Sequence, residues 1–317
     1  MRRPLHIVLG ALLGGVLAVG VAPGAGNAAG EASTGDRTAA VSSKAAATTT
    51  AAKQRVQSYW TAERMRAAKP ADVAWTFAST ASPARGTTTK VADTAARKPG
   101  PQQPAATAAI TSTTGKVFFT LSGGNYVCSG SATSSSNRSV VTTAGHCVNE
   151  GPGAFATNWA FVPAYNNGSR PYGTWTARNL VTTSAWANQG DINYDGGFAV
   201  MNTLNGQTLT DVVGGQGITF NQARGLYYSA YGYPAAPPFN GETLKSCAGT
   251  AQNDIYGGTQ SQSIPCNMTG GSSGGPWFTG GLLNSVNSFG YSGVPNRMFG
   301  PYFGSAIQSA YNAASTS

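Results

Sequence analysis

Histidine is almost missing from this chain: of 317 residues only His6 and His146 carry an imidazole. Charged side chains make up 10% of the residues, and acidic ones number 11 in all. Long apolar runs are scarce too. The clearest, residues 7–21, is short for a membrane-spanning helix. It follows Arg2 and Arg3 and leads into small residues ending near Ala28 and Ala29. That order of charge, apolar stretch and small-residue site is a secretory leader, residues 1–29, so the chain is expected to be secreted, extracellular, and without stable membrane association. His6 leaves with the leader, and His146 is then the sole ordinary proton shuttle near neutrality.

Residues 30–107 are rich in Ala, Thr, Lys and Arg, hold no cysteine, and are poor in the large apolar residues from which a core is built. Within them, Thr61 followed by Glu63 and Arg64 predicts a short amphipathic helix that Pro70 stops. Two readings stand: a partly disordered linker, or a pro-segment that shields an enzyme until it is removed. Arg97, Lys98 and the Pro-rich stretch after them make an exposed, cleavable linker. The net charge of +9 belongs to this first part: residues 1–107 carry 13 Lys and Arg against 5 Asp and Glu, and residues 108–317 carry 7 against 6. The second part therefore has no electrostatic footprint for a polyanion, which excludes nucleic acid as the expected partner.

The four cysteines, Cys128, Cys147, Cys247 and Cys266, all lie in residues 108–317. An even number in an exported chain argues for two disulfides. Of the three connectivities, the sequential one, 128 with 147 and 247 with 266, is favoured because each pair brackets a local loop. Zinc competes, but there is no C-x-x-C, and one histidine does not complete the usual ligand set. No cofactor and no metal are expected. Asp191, Asn193 and Asp195 leave a minor opening for calcium.

From Ile110 onward, short Val-, Phe-, Tyr- and Thr-rich runs alternate with Gly, Asn, Ser and Pro clusters. The clearest are KVFFTL, SVVTTAG, TWTARNLVT, GFAVMNTL, LYYSAYGY and PYFGSAI. Helical periodicity shows only near the end, at residues 304–314. Some 210 residues of this kind, 108–317, suit a single all-β unit of two antiparallel barrels or a sandwich.

Serine-based acyl transfer needs a hydroxyl, a base, an acid that orients the base, and donors for the oxyanion. The stretch GGSSGGP, residues 270–276, offers the first and last: its glycines let the backbone turn tightly and aim the amides of Gly271 and Ser273 into one hole. It also fits the G-x-S-x-G elbow of the α/β-hydrolases, in which the histidine follows the serine. Here no histidine follows Ser273, and only the order histidine, acid, serine is available. Among the acids between them, Asp195 opens DGGFAVM, a setting that buries a carboxylate behind an imidazole. Asp191 reads as a turn residue, Asp211 as a strand start, and Glu150 as solvated.

TAGHC at 143–147, DGGFAV at 195–200 and GGSSGGP at 270–276 resemble the three signature segments of the chymotrypsin-like serine peptidases, and more narrowly a bacterial secreted branch that includes the glutamyl endopeptidases. The likeness spans roughly residues 112–312. It implies two six-stranded antiparallel β-barrels with the active site between them and a short C-terminal helix. It also implies a serine endopeptidase, acting as a monomer on a peptide or protein substrate, in which Ser273 is nucleophile, His146 base and Asp195 its orienting acid. The amides of Gly271 and Ser273 would form the oxyanion hole, and Ser288, Phe289 and Gly290, in NSFG, would take the substrate backbone as an added strand. The family's aspartate before the nucleophile is replaced by Ser272, so activation through a new N-terminal ammonium is not expected. Asn267 and Met268 fall near the primary pocket, and with no second histidine there the expected preference is neutral or apolar. A catalytically silent binding homologue and an esterase with the same three residues are the competing readings.

Overall fold

A computed structural model of the chain describes residues 40–71, 84–96 and 110–317. The leader at 1–29 and the cleavable linker at 97–107 lie outside the described residues. The described chain is mostly β, as expected, and its elements follow the turn punctuation of the sequence.

The first barrel is closed by strands β4 (Thr114–Leu121), β5 (Gly124–Thr133), β6 (Val140–Thr143), β7 (Thr157–Pro163), β8 (Trp175–Thr183) and β9 (Gly197–Met201). They pair in the order β8-β7-β4-β5-β6-β9, and β9 returns to β8, so every pairing in the ring is antiparallel and no edge is left open. Alternation along the strands fills it. Val117 and Phe119 of β4, Cys128 of β5, Trp159 and Phe161 of β7, and Phe198 and Val200 of β9 all belong to one core cluster.

The second half holds a sheet of β12 (Lys245–Thr250), β11 (Tyr227–Gly232), β15 (Pro276–Thr279), β16 (Leu282–Val286) and β10 (Ile218–Phe220). A smaller sheet joins β13 (Gln252–Asn253), β14 (Gln262–Pro265) and β17 (Arg297–Gly300). All pairings here are antiparallel except β10 with β16. Tyr228, Ala230, Ile264, Met268, Trp277 and Met298 form the core between these sheets.

Two expected elements differ. PYFGSAI is not a strand: Gly304 caps a C-terminal helix, Ser305–Thr316, whose Ile307, Ala310, Tyr311 and Ala314 pack into the first core. Asp211 sits in the first turn of a short helix, Leu209–Val213, and pairs with Arg138 at 2.5 Å. The side chain of Asp211 favours the positive end of the helix dipole, a local gain that a strand start would not supply.

The disulfides are Cys128–Cys147 and Cys247–Cys266, the sequential pairing. The first ties β5 to the turn that carries His146. The second ties β12 to the segment that leads into GGSSGGP.

Residues 40–71 and 84–96 form regular elements that their composition alone does not announce. β1 (Val41–Ala45) adds antiparallel to the far half of β8, where β7 has ended. Helices α1 (Thr50–Tyr59) and α2 (Ala62–Ala67) follow, capped by Thr49 and Thr61. The second is the helix foreseen from Thr61, and it stops three residues before Pro70. β2 (Lys69–Pro70) pairs with β5, and β3 (Thr89–Val91) with β10.

Candidate active site

His146 lies in a one-turn 3-10 helix, Gly145–Cys147, that follows β6. Asp195 ends a second such turn, Ile192–Tyr194, just before β9. Because β6 pairs with β9, the two turns emerge side by side. A side chain at Gly145 would strike Asp195 Oδ1 and the Trp186 ring, so glycine there permits the approach.

The Asp195 carboxylate is fully buried and accepts three hydrogen bonds. Oδ1 takes the His146 backbone N–H at 2.8 Å, and Oδ2 lies 2.8 Å from His146 Nδ1 and takes the Ser288 hydroxyl at 2.5 Å. Burial pushes the carboxyl pKa up, but the facing imidazole, the Ser288 hydroxyl and the backbone donor outweigh it, and the result lies below the ordinary 3.8. His146 and Asp195, paired in the sequence reading, are therefore brought together. His146 Nε2, on the other side of the ring, is buried and has no hydrogen-bond partner among the described residues.

Ser273 sits in the glycine turn between the halves. Gly274 takes φ +77°, and a side chain there would collide with Thr143 Oγ1 and the Ser129 carbonyl. The turn is held from several directions. Ser129 N–H donates to the Ser273 carbonyl at 2.7 Å, and Ser129 Oγ donates to the Gly271 carbonyl at 3.0 Å. Asn287 accepts from Gly274 N–H with its backbone carbonyl at 2.7 Å, and its side-chain amide donates to the Ser272 carbonyl at 3.0 Å. The Gly270 carbonyl is drawn toward the Ala235 N–H at 2.7 Å, which in a trans peptide turns the Gly271 N–H the opposite way. Neither the Gly271 nor the Ser273 N–H has an acceptor among the described residues. Ser129 and Asn287 were not singled out as clamps of this turn, since a lone Ser or Asn carries no signal of which carbonyl it will meet.

A cavity of about 250 Å³ opens beside Ser273, walled by Met268, Thr269, Ser288, Phe289, Gly290, Arg297 and Met298 among others. Met268 is buried and reaches it, whereas Asn267 is exposed and lies outside its wall. Arg297 is the one charged residue in the lining. It was not legible beforehand, because only the pairing of β17 with β14 brings it there. Its guanidinium donates to Ser263 Oγ and Gln252 Oε1, both neutral. Phe289 pairs with Phe299, which leaves the Ser288 carbonyl and Gly290 N–H without backbone partners among the described residues, an edge able to receive a strand.

The other acids have local work. Asp191 accepts from Asn193 N–H, and Asn193 Oδ1 accepts from Gln260 N–H, so the oxygens considered for calcium are turned to amides. Glu150 is exposed and accepts from Ala154 N–H. Cys128, His146 and Cys147 are the one grouping with metal-ligand spacing among the described residues, but the two sulfurs are joined in a disulfide and offer no thiolate.

No family model matches the chain. Among solved structures it is similar to the protease Anisep from Arthrobacter nicotinovorans, with 61% identity and a TM-score of 0.64 over 65% of this chain and 97% of that one. It is also similar to the thermostable serine protease AL20 from an extremophilic microorganism, with 54% identity and a TM-score of 0.64 over 66% and 99%. The chain belongs to the chymotrypsin-like serine peptidases. A Glu endopeptidase, 18% identical with a TM-score of 0.52 over 66% of this chain and 92% of that one, shares the fold. Among curated proteins, an extracellular metalloprotease of Bacillus subtilis (strain 168) is 34% identical over 106 residues, 32% of this chain. That match spans 33% of the relative's length.

Proposed function

We propose that this protein is a secreted serine endopeptidase, made with a leader at residues 1–29 and an inhibitory pro-segment over residues 30–107. Ser273 attacks the peptide carbonyl. His146 takes its proton and returns it to the leaving amine, and Asp195 holds the imidazole with Nδ1 protonated, leaving Nε2 as the base. The amides of Gly271 and Ser273 receive the oxyanion, and an acyl-enzyme on Ser273 is then hydrolysed. The observation that carries the reading is the Asp195 carboxylate: fully buried, bonded to both the backbone and Nδ1 of the one histidine, and fixed by Ser288.

Export is supported by the two disulfides and by the extracellular relative. No helix among the described residues is long and apolar enough to cross a membrane. The pro-segment reading is supported by the solved relatives, which match about two thirds of this chain while being covered almost entirely themselves.

The processed protein is expected to hydrolyse casein and to react with a fluorophosphonate. Ser273→Ala should lower turnover by about 10⁶-fold and abolish labelling while leaving the thermal melt in place. If Ser272→Ala abolishes labelling and Ser273→Ala does not, the assignment of the nucleophile is wrong. Loss of both activities on chelation alone would instead favour a metal-dependent peptidase.

A further inference from the structure

The strands of the first barrel carry an apolar outer face as well as an apolar core. Phe118 of β4, Val127 of β5, and Ala160 and Val162 of β7 alternate with the inward residues and so point away from the barrel interior. They are buried because residues 40–71 cover them: Val56, Trp60 and Met65 pack there, together with Tyr165 and Tyr233. Trp60 is 1% exposed, lies 5.5 Å from the Phe118 ring, and donates its indole N–H to the Asn158 carbonyl at 2.5 Å.

From this anchor the chain runs directly to the site. Lys69 and Pro70 lie parallel to Tyr126 and Val127, and Ala71 N–H donates to the Val127 carbonyl at 3.1 Å. Cys128 and Ser129 follow on the same strand, and Ser129 holds the Ser273 carbonyl. The Ala71 carbonyl oxygen then accepts from Ser273 Oγ at 3.4 Å. Two features separate this from a bound substrate. Ser273 faces the oxygen of that carbonyl as a hydrogen-bond donor, and the Gly271 and Ser273 N–H groups, which would hold the oxygen of a bond under attack, have no acceptor among the described residues. His146 Nε2 has no partner among the described residues, and the Ser273 proton is directed to the Ala71 carbonyl instead.

We propose that the outer face of the first barrel is a binding site for residues 40–71, with Trp60 as its anchor, and that this segment remains an inhibitor after it is severed, rebinding in trans through the Ala71 contact to Ser273. The occupant is a segment of this chain, and its three attachments act as one: β1 on β8, Trp60 on the outer face, and β2 on β5. Cutting the linker at 97–107 does not by itself expose the site. The segment must also leave, and its departure uncovers the patch around Phe118 and Val162. The inhibitory half of the proposal rests on Ser273 being the nucleophile; the binding half does not.

The test uses the full chain carrying an inserted cleavage site for an added protease within 97–107. A fluorophosphonate should label the uncut and the freshly cut protein slowly, and the catalytic part isolated by gel filtration in mild denaturant and returned to buffer quickly. A synthetic peptide of residues 40–71, added back, should suppress labelling at micromolar concentration. The same peptide with Trp60→Ala should need roughly 10²-fold more, the scale of truncating a buried aromatic anchor. In parallel, calorimetric binding of the peptide to the Ser273→Ala protein reads the docking surface without chemistry. Should the isolated part fail to refold, the uncut full-length Trp60→Ala chain should still label at least tenfold faster than the uncut parent. The proposal is overturned if the peptide neither binds nor suppresses labelling at 100-fold excess, or if Trp60→Ala changes neither the peptide nor the uncut chain. Peptide binding with no labelling under any condition would instead refute the nucleophile and, with it, the inhibitory half.

Discussion

The replacement of Asp195 by asparagine separates a catalytic carboxylate from a structural one. In the structure, its two oxygens receive three donors: the His146 backbone N–H on Oδ1, and His146 Nδ1–H with the Ser288 hydroxyl on Oδ2. An asparagine has one oxygen to offer them. If its oxygen stays at the backbone N–H, its NH₂ faces Nδ1 and forces the imidazole into the tautomer with the proton on Nε2. If it flips, the NH₂ opposes the His146 N–H and leaves that buried donor unsatisfied, at about 1–3 kcal/mol. The first arrangement leaves no buried donor unpaired and is favoured, and it removes the acceptor that faces Ser273; the flipped one would keep that acceptor at the cost of the His146 N–H. The same change in trypsin, which is the worked case of the principle, lowers kcat by about 10⁴, and a loss of about that size is expected here. Stability should fall by no more than the unsatisfied-donor cost.

The assay is kcat/KM on a chromogenic peptide and the rate of fluorophosphonate labelling, both near pH 7, with the thermal melt as control. Asp191→Asn is the paired comparison. Asp191 is also nearly buried, yet its Oδ1 caps the turn at Asn193, and its loss should move the melt more than the turnover. Retention of more than a tenth of the parent activity by Asp195→Asn would refute the assignment. So would a pair of variants whose losses are equal.

Two further outcomes follow from the same geometry. Because the Asp195 pKa is lowered in the folded state, its contribution to stability is present above the ordinary 3.8 and is lost as pH falls through the lower folded value. Ser288→Ala removes one of the donors responsible, so the acid midpoint of unfolding should move to higher pH, with little change in melt at pH 7 beyond the lost hydrogen bond, about 1.5–3 kcal/mol; an unchanged acid midpoint would place the Ser288 proton elsewhere. In the cavity beside Ser273, Arg297 meets no carboxylate within ion-pair distance among the described residues, so a basic side chain entering there is repelled. A partly exposed charge contact is worth up to about 1 kcal/mol, and Arg297→Gln should raise kcat/KM for a Lys peptide relative to a Leu peptide about fivefold; a parent enzyme that already prefers Lys would refute this.

What could be read in the sequence was what depends on short range. The runs at KVFFTL, TWTARNLVT and GFAVMNTL are strands because β-branched and aromatic residues sit between turn formers, and each appears in the first barrel. The candidate site residues could be picked out for a different reason: a single histidine outside the leader and six acids between it and Ser273 leave few combinations. The wall of the cavity was not legible, because it is assembled from strands distant in sequence. Asn267 precedes Met268 directly and yet falls outside that wall, while Arg297 reaches it through the β14–β17 pairing. The N-terminal segment was legible only in part, as a linker or a shielding pro-segment with one short helix after Thr61. Residues 30–107 are too poor in large apolar groups to form a core alone, but the outer face of β4, β5 and β7 supplies the missing half of one. The absence of polar alternation in KVFFTL and in NWAFVP, residues 158–163, was the available signal, since a strand apolar on both faces is covered on both.

Ser272 shows how that cover and the chemistry are related. A buried aspartate at this position would need a cation to face it, and in the trypsin pattern the cation arrives only after the chain is cut. Ser272 needs none: it is 1% exposed, its hydroxyl donates to the Thr269 carbonyl at 2.8 Å, and its own carbonyl accepts from Asn287 and Gly275. The carbonyls of Gly270, Gly271, Ser272 and Ser273 are thus all tied while residues 40–71 are still attached, with the Gly271 N–H already turned by the Gly270–Ala235 bond. On the proposed reading, activation therefore has nothing to build at the amides of Gly271 and Ser273. In the proposed inhibition, what separates the two states is the Ala71 carbonyl on Ser273 Oγ and the apolar anchor that holds it there, so the switch would be governed by how tightly one segment binds a barrel face rather than by a new ion pair.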